Sequence, residues 1–310
     1  MPGSRAPRTL VLGDLALDVV LTAARPIEAG TDVPGRVALR QGGSAASTAR
    51  WLARLGCRSM LVCAIGRDWA GRVLAKALDA DGVVVRGIRV RGARTGRIGV
   101  IVEPSGERSF VADRGAANQL RPDDIREAWF RGQALVHLPV YSLLDEPLAS
   151  AARRALELAR DAGALVSLDL ASIGPLLAQG RPAAVELVRS TGADILFATA
   201  VEADGLLGGR PIEGLLDLAP LAVVKQGSKG ATTLSLDGGS RLRFEIATPS
   251  VLAADTTGAG DAFDAGFLAS WLASPAPRRS SPAALQRAAL AGHRAAARHL
   301  SGPRPELQLG

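Results

Sequence analysis

The chain has 310 residues, 47% of them hydrophobic, which suits a large buried core and argues against disorder. No apolar run reaches the ~20 residues that a membrane helix needs, so a spanning helix is excluded and a cytoplasmic protein expected. The formal charge is +7, yet the basic residues are scattered, with Arg153-Arg154 and Arg278-Arg279 the densest runs, which argues against a nucleic-acid surface.

In chain order, Thr9 to Ala24 has the outline of a signal peptide, but Asp14 and Asp18 interrupt its apolar core, and it reads as a first strand. Strands are predicted at Leu10–Gly13, Ser59–Ala64, Val83–Val85, Leu135–Leu138, Leu165–Asp169, Ile195–Ala198 and Ala222–Lys225. Helices are predicted at Ser44–Leu55, Trp69–Ala80, Asp123–Phe130, Leu148–Asp161, Pro182–Arg189, Val201–Leu207, Ala259–Leu272 and Pro282–Leu300. This alternation predicts an α/β fold: a doubly wound, mostly parallel sheet with helices on both faces, in one domain over residues 1–310. Two segments, about 18–41 and 95–113, break the alternation. In the second, Ile98–Val102 and Ser109–Val111 flank Pro104-Ser105-Gly106-Glu107, which is hairpin turn chemistry. Strands inserted in this way predict a small β lid. Cys57 and Cys63 lie near an apolar strand and read as small buried hydrophobes, not as a disulfide. Ser274 to Ser281 reads as a surface loop, and the tail after Ser301 as loosely held.

Five stretches carry chemistry. Asp255-Thr256-Thr257-Gly258-Ala259-Gly260-Asp261-Ala262-Phe263 puts a glycine-flanked turn before an apolar helix. Unpaired amides and the positive end of the dipole make such a helix start an anion site, and a carboxylate in its first turn is placed to take a proton from an attacking hydroxyl. Gly42-Gly43-Ser44 opens another helix and lets a ligand press on the backbone. Asp18 follows Gly13-Asp14 and by itself reads as a strand-end Asp in a turn. Asp194 to Glu202 ends a strand and begins a helix with an acidic first turn. Lys225-Gln226-Gly227-Ser228-Lys229-Gly230 follows a strand without Walker spacing, and reads as a phosphate-approaching loop or a hairpin turn.

Together these stretches resemble the ribokinase-like (PfkB) carbohydrate kinases over about residues 8 to 300. The resemblance implies an ATP-dependent phosphotransferase acting on a primary hydroxyl of a sugar or sugar-like substrate. It implies Asp261 as base and the amides of Gly258, Ala259 and Gly260 as an anion hole. Asp18, Gly42, Gly43, Ser47 and Arg114 would meet substrate, although Arg114 reads equally as a solvated lid residue. Thr199, Lys225, Gly227, Ser228, Gly230, Thr257 and His293 would meet nucleotide. Glu202 would hold Mg²⁺ through water, and Asp255 is a candidate for a monovalent cation such as K⁺. A homodimer through the lid is the family expectation.

The chain departs from the family pattern at Thr199, Ser47 and His293, where Asn is usual; Ala16 and Ser47 argue against ribose. His137 and His299 have no evident partner. Fructose, 2-keto-3-deoxygluconate, another hexose or pentose, and a nucleoside such as adenosine remain open as substrates. No aromatic residue lies in a substrate-facing motif, which favours a sugar. The rival readings are a nucleotide- or sugar-binding regulator without turnover, and a dinucleotide oxidoreductase, which lacks its glycine fingerprint after the first strand.

Overall fold

The computed structural model describes residues 6–105, 108–237, 239–248, 255–303 and 306–307. Nine strands form the large sheet: β1 (Arg8–Leu12), β4 (Arg58–Gly66), β5 (Val84–Val90), β8 (Leu135–Pro139), β9 (Leu165–Asp169), β10 (Ile195–Thr199), β11 (Leu221–Lys225), β12 (Ala231–Asp237) and β13 (Ser240–Ile246). A separate four-stranded sheet contains β2 (Ala16–Ala23), β3 (Gly35–Gly42), β6 (Gly96–Val102) and β7 (Arg108–Asp113). The helices are α1 (Ser44–Arg54), α2 (Trp69–Ala80), α3 (Leu148–Asp161), α4 (Ile173–Leu176), α5 (Arg181–Ser190), α6 (Ala200–Leu207), α7 (Ala259–Ala273) and α8 (Pro282–Ser301).

The large sheet runs β13-β12-β11-β10-β9-β8-β1-β4-β5, parallel from β11 to β5, with β12 and β13 antiparallel at one edge. The order reverses at β1, which lies between β8 and β4, so a crevice opens where crossovers leave in opposite directions. The central strands are apolar on both faces because helices cover both. Leu10, Leu12, Val62 and Leu196 pack on the side of α3, α5 and α6. Their neighbours Val11, Leu61, Cys63 and Phe197 pack on the side of α1, α2, α7 and α8. Both cysteines are buried and free.

The small sheet has the order β3-β2-β6-β7 around a core of Val20, Ala38, Val100 and Val102. It contains both segments that broke the α/β alternation. β6 and β7 pair antiparallel, although Gly106 and Glu107 of their connection lie outside the described residues.

The predicted helix Asp123–Phe130 is instead two short 3₁₀ turns, Pro122–Asp124 and Glu127–Trp129. Pro122 starts the first turn, and Asp124 folds back to accept from the Arg121 amide, which ends it within one turn. The strand predicted at Val83–Val85 runs on to Val90. β12 and β13, absent from the predicted strands, form the edge hairpin. The tail is not loose where described: Leu307 N donates to Leu39 O at 2.8 Å, and Arg36 pairs with Glu306 at 3.1 Å. Among the described residues no helix is long and apolar enough to cross a membrane.

Candidate active site

The carboxyl ends of the parallel strands and the inner face of the small sheet enclose a cleft of about 1120 Å³. Asp18, Gly42, Gly43, Ser47 and Arg114 line it. So do Thr199, Glu202 and Lys225, and, from the turn before α7, Asp255, Thr257, Gly258, Gly260 and Asp261. Segments up to 240 positions apart in sequence thus converge because strand ends of a parallel sheet share one rim.

Gly258 is left-handed at φ 81 and is the N-cap of α7. Its side chain cannot cap, so the first-turn amides of Gly260 and Asp261 have no acceptor within the helix. The Ala259 amide differs: it donates to Thr256 O at 3.1 Å. Of the three amides expected to form the anion hole, Ala259 is therefore already engaged. Ser44 Oγ, at the start of α1, donates to Asp261 Oδ1 at 2.7 Å and so ties the two glycine-led helix starts together. Burial pushes the Asp261 carboxyl up to about 7; the Ser44 bond opposes that rise and the Asp169 charge adds to it.

Asp18 projects from β2 into the cleft and is buried. Burial, with the charges of Asp14, Asp261 and Asp255, pushes its carboxyl up to about 7 against the pull of Arg40. A Cβ on Gly42 would stand 1.7 Å from Asp18 Oδ1, so only glycine leaves that carboxylate its place. Gly43, at φ 96, has the Asp14 carbonyl 2.5 Å from where its Cβ would be. Asp14 accepts from Ala45 N at 3.2 Å and from Arg114 Nη1 at 3.2 Å. Arg114 also lies over the Tyr141 ring, 3.8 Å from its centroid, so it is a cleft residue held on both sides and not a solvated one.

Glu202 is braced by a capping box. Thr199 N donates to Glu202 Oε2 at 2.7 Å, and Glu202 N donates to Thr199 Oγ1 at 3.2 Å. Burial and the Asp169 charge raise the Glu202 carboxyl. Lys225 does not extend into a nucleotide loop. Its Nζ is buried against Asp169 Oδ1 at 3.0 Å and Asp264 Oδ2 at 3.0 Å, beneath Gly260. Burial alone would lower its pKa, but Asp169, Asp264 and Glu202 outweigh burial and hold it protonated.

Gly227, Ser228, Gly230 and His293 are not part of the cleft wall. Gly227–Lys229 is a 3₁₀ turn, and Gly230, at φ 103, has Ile246 O 2.1 Å from where its Cβ would be, so the turn from β11 to β12 is packed against the end of β13. His293 packs edge-on against Phe263, with centroids 5.0 Å apart, and burial lowers its pKa. His137 is also partnered: Nδ1 is 2.6 Å from Ser167 Oγ, inside the sheet.

The structure adds residues that sequence reasoning missed. Arg40 pairs with Asp255 at 3.0 Å, and Arg108 Nη1 donates to Thr257 Oγ1 at 3.1 Å, both from the small sheet. Asp255 also accepts from Thr257 N at 2.9 Å. Asp169 and His299 line the cleft as well. Asp169 was legible as the acidic end of an apolar parallel strand; no local signal marked the arginines or His299. Trp51, Phe110 and Tyr141 line the cleft too, so aromatic rings border it although none was singled out from the substrate-facing motifs.

Among the described residues no three His, Cys, Asp or Glu cluster to ligate a metal directly.

A doubly wound sheet, a small covering sheet and a glycine-turn helix start with an adjacent carboxylate define a ribokinase-like small-molecule kinase. The family model for pfkB carbohydrate kinases matches residues 6–304, and the chain belongs to that family. It is 32% identical to a probable fructokinase-3 of Arabidopsis thaliana over 237 residues, covering 73% of this chain and 68% of that one. It is 31% identical to a probable fructokinase-2 of the same plant, covering 83% and 79%. Two solved structures share the fold: an adenosine kinase from Sinorhizobium meliloti (TM-score 0.83, 24% identity, 97% and 96% covered) and a fructokinase from Vibrio cholerae O395 (TM-score 0.79, 23% identity, 96% and 94% covered). The protein is a carbohydrate kinase: it transfers the γ-phosphate of ATP to a hydroxyl of a sugar or sugar-like substrate.

Proposed function

We propose that the protein phosphorylates a ketohexose, fructose being the first candidate, with Asp261 as the general base. The observation that carries this reading is the joint placement of Asp261 and the unpaired first-turn amides of α7 on one side of the cleft, with Asp18 on the wall of the same cleft. The curated fructokinases that the chain resembles supply the sugar.

Asp18, framed by Gly42 and Gly43, accepts hydrogen bonds from two sugar hydroxyls, and Ser47 and Arg114 complete that wall. The primary hydroxyl then lies beside Asp261, which removes its proton as the oxygen attacks the γ-phosphate. A carboxyl held near pH 7 is a stronger base than an ordinary aspartate and is half ionised at that pH. The Gly258, Gly260 and Asp261 amides stabilise charge on the moving phosphoryl group at the positive end of α7. Thr257 and Thr199 border the nucleotide, with the 227–230 turn further out at the strand edge. Mg²⁺, when bound through water on Glu202, supplies charge neutralisation to the phosphates. Lys225 holds Asp169 and Asp264 in place beneath the anion hole.

The inner face of the small sheet bears Asp18 and Arg40, and its closure over the sugar excludes water. Its outer face is suited to a partner lid, which would make the protein a homodimer. A second reading, a nucleoside as acceptor, is favoured by one observation: Phe110 lines the cleft from the lid and is still 54% exposed, available to stack a base.

The test is ADP release with Mg-ATP across ketohexoses, aldoses, sugar acids and nucleosides, beside Asp261→Asn. Fructose turnover that falls by about three orders of magnitude in the mutant supports base and substrate together. Turnover on adenosine alone transfers the reading to a nucleoside kinase, and turnover that survives the mutation removes Asp261 as base.

A further inference from the structure

His299 stands in the last turn of α8, some forty positions downstream of the anion-hole turn in sequence, yet its ring is wedged between that turn and α1. Nε2 is 2.7 Å from Thr257 O, and Nδ1 is 3.3 Å from Trp51 Nε1. The roles at both nitrogens are fixed by their partners. A carbonyl oxygen only accepts, so Nε2 carries the hydrogen; an indole N–H only donates, so Nδ1 is bare. The two bonds coexist in one tautomer of the neutral ring.

The Thr257 carbonyl is one end of the peptide group whose other end is the Gly258 N–H. In a trans peptide these two point in opposite directions from one rigid plane. A donor that pins the carbonyl on the α8 side therefore aims the amide to the other side. The ring also packs flush on Gly258: a Cβ there would meet His299 Nε2 at 3.0 Å and Cε1 at 3.1 Å. Two glycines bring α8 close enough for this. A Cβ on Gly266 would stand 2.6 Å from Ala291 O, and one on Gly292 would stand 2.9 Å from Phe263. On the far side the Trp51 ring meets the histidine edge-on, with centroids 5.9 Å apart.

We infer that His299 is a positioning residue for phosphoryl transfer: by donating from Nε2 to Thr257 O it fixes the Thr257–Gly258 peptide plane and so aims the Gly258 amide at the transferring phosphate. The inference rests on the kinase reading above. It adds the way in which the C-terminal helix holds a left-handed turn that no side chain caps. His299 acts through the Thr257–Gly258 peptide plane, so its loss is expected to act on kcat and to leave the sugar KM alone.

The two amide side chains separate the nitrogens. Gln places a donor where Nε2 was and preserves the Thr257 bond; Asn reaches only the Nδ1 position and loses it. In the full chain, His299→Asn is expected to lower kcat about ten- to a hundredfold, the scale of a misaimed anion-hole donor, with the sugar KM within about twofold. His299→Gln is expected to recover kcat to within about threefold. A wild-type kcat in His299→Asn overturns the inference, as does a Gln variant as slow as the Asn one. Where the Asn variant does not fold, the ¹⁵N spectrum of the wild-type imidazoles at pH 8, with His299 assigned by its loss in His299→Gln, gives the same decision. A proton on Nε2 supports the inference and one on Nδ1 overturns it. Asp261→Asn, run in parallel, keeps the two readings apart: an active Asp261→Asn removes the base, whereas a dead Asp261→Asn beside a wild-type His299→Asn removes only the positioning role.

Discussion

Gly42 and the Asp18 carboxylate compete for one volume, so the smallest side chain at 42 must displace the group proposed to bind sugar. Gly42→Ala is expected to raise the sugar KM tenfold or more and to leave the ATP KM near wild type, read from initial rates with each substrate varied. An unchanged sugar KM would mean that Asp18 does not bind the sugar. The carboxyls of Asp261 and Asp18, each held near 7, set the pH behaviour. A base must be ionised, so kcat/KM is expected to fall about tenfold per unit below pH 7, well above the range of ordinary aspartates. Stability runs the other way. From the ordinary aspartate value of 3.8 up to about 7 the folded state holds protons that the unfolded chain has released, so these groups cost stability as pH rises through that window. Asp261→Asn is accordingly expected to raise the melting temperature at pH 8 while abolishing activity, and a lower one would contradict the burial argument. At this scale the sequence exposed the two signatures themselves, because glycine and carboxylate needs are local. It did not expose Arg40, Arg108 or His299, whose partners lie over forty to two hundred positions away.

Helix α7 begins with no side-chain cap, whereas α6 has the full Thr199–Glu202 box. The difference follows from use: a capped helix start has fewer amides free for an anion. Beneath α7, Lys225 is the single cation between two buried carboxylates, at the end of β11 and under the first turn of the helix. Lys225→Met keeps much of the volume but strands Asp169 and Asp264 without a counter-charge. It is expected to destabilise the fold by about 3–5 kcal/mol in urea unfolding. A loss below about 1 kcal/mol would show that the pair is dispensable. Element types were largely legible because apolar strands and 3.6-residue periodicity are local signals. The misses have local causes as well. Pro122 and the Asp124 turn confine residues 122–129 to single 3₁₀ turns; β12, though buried, interrupts its apolar residues with Thr232, Thr233 and Ser235, and β13 is an exposed edge strand, so neither has the continuous apolar run of the central strands.

Across the molecule, the small sheet is tied to the turn before α7 by Arg40–Asp255 and Arg108–Thr257. Its outer face carries Leu21, Val37 and Val111, which are 37%, 59% and 68% exposed. Strand register puts Leu21 opposite Val37, and Gly99, opposite Val19, in line with Val111. An apolar sheet face of this kind suits a second copy, and sedimentation at micromolar concentration is expected to show a dimer that Val37→Asp shifts towards monomer. A wild-type monomer would end that proposal. The sequence by itself determined the α/β alternation, the inserted lid strands, both glycine turns and the carboxylates at 18, 202 and 261, since each is set by backbone geometry or patterning within a few residues. Only the tertiary structure decided which of these groups meet. Parallel strand ends gathered on one rim turned Lys225 inward to two aspartates, moved the 227–230 turn and His293 off the cleft wall, and brought the last turn of α8 against the glycine turn before α7, because contacts between distant segments are fixed by sheet order and helix packing.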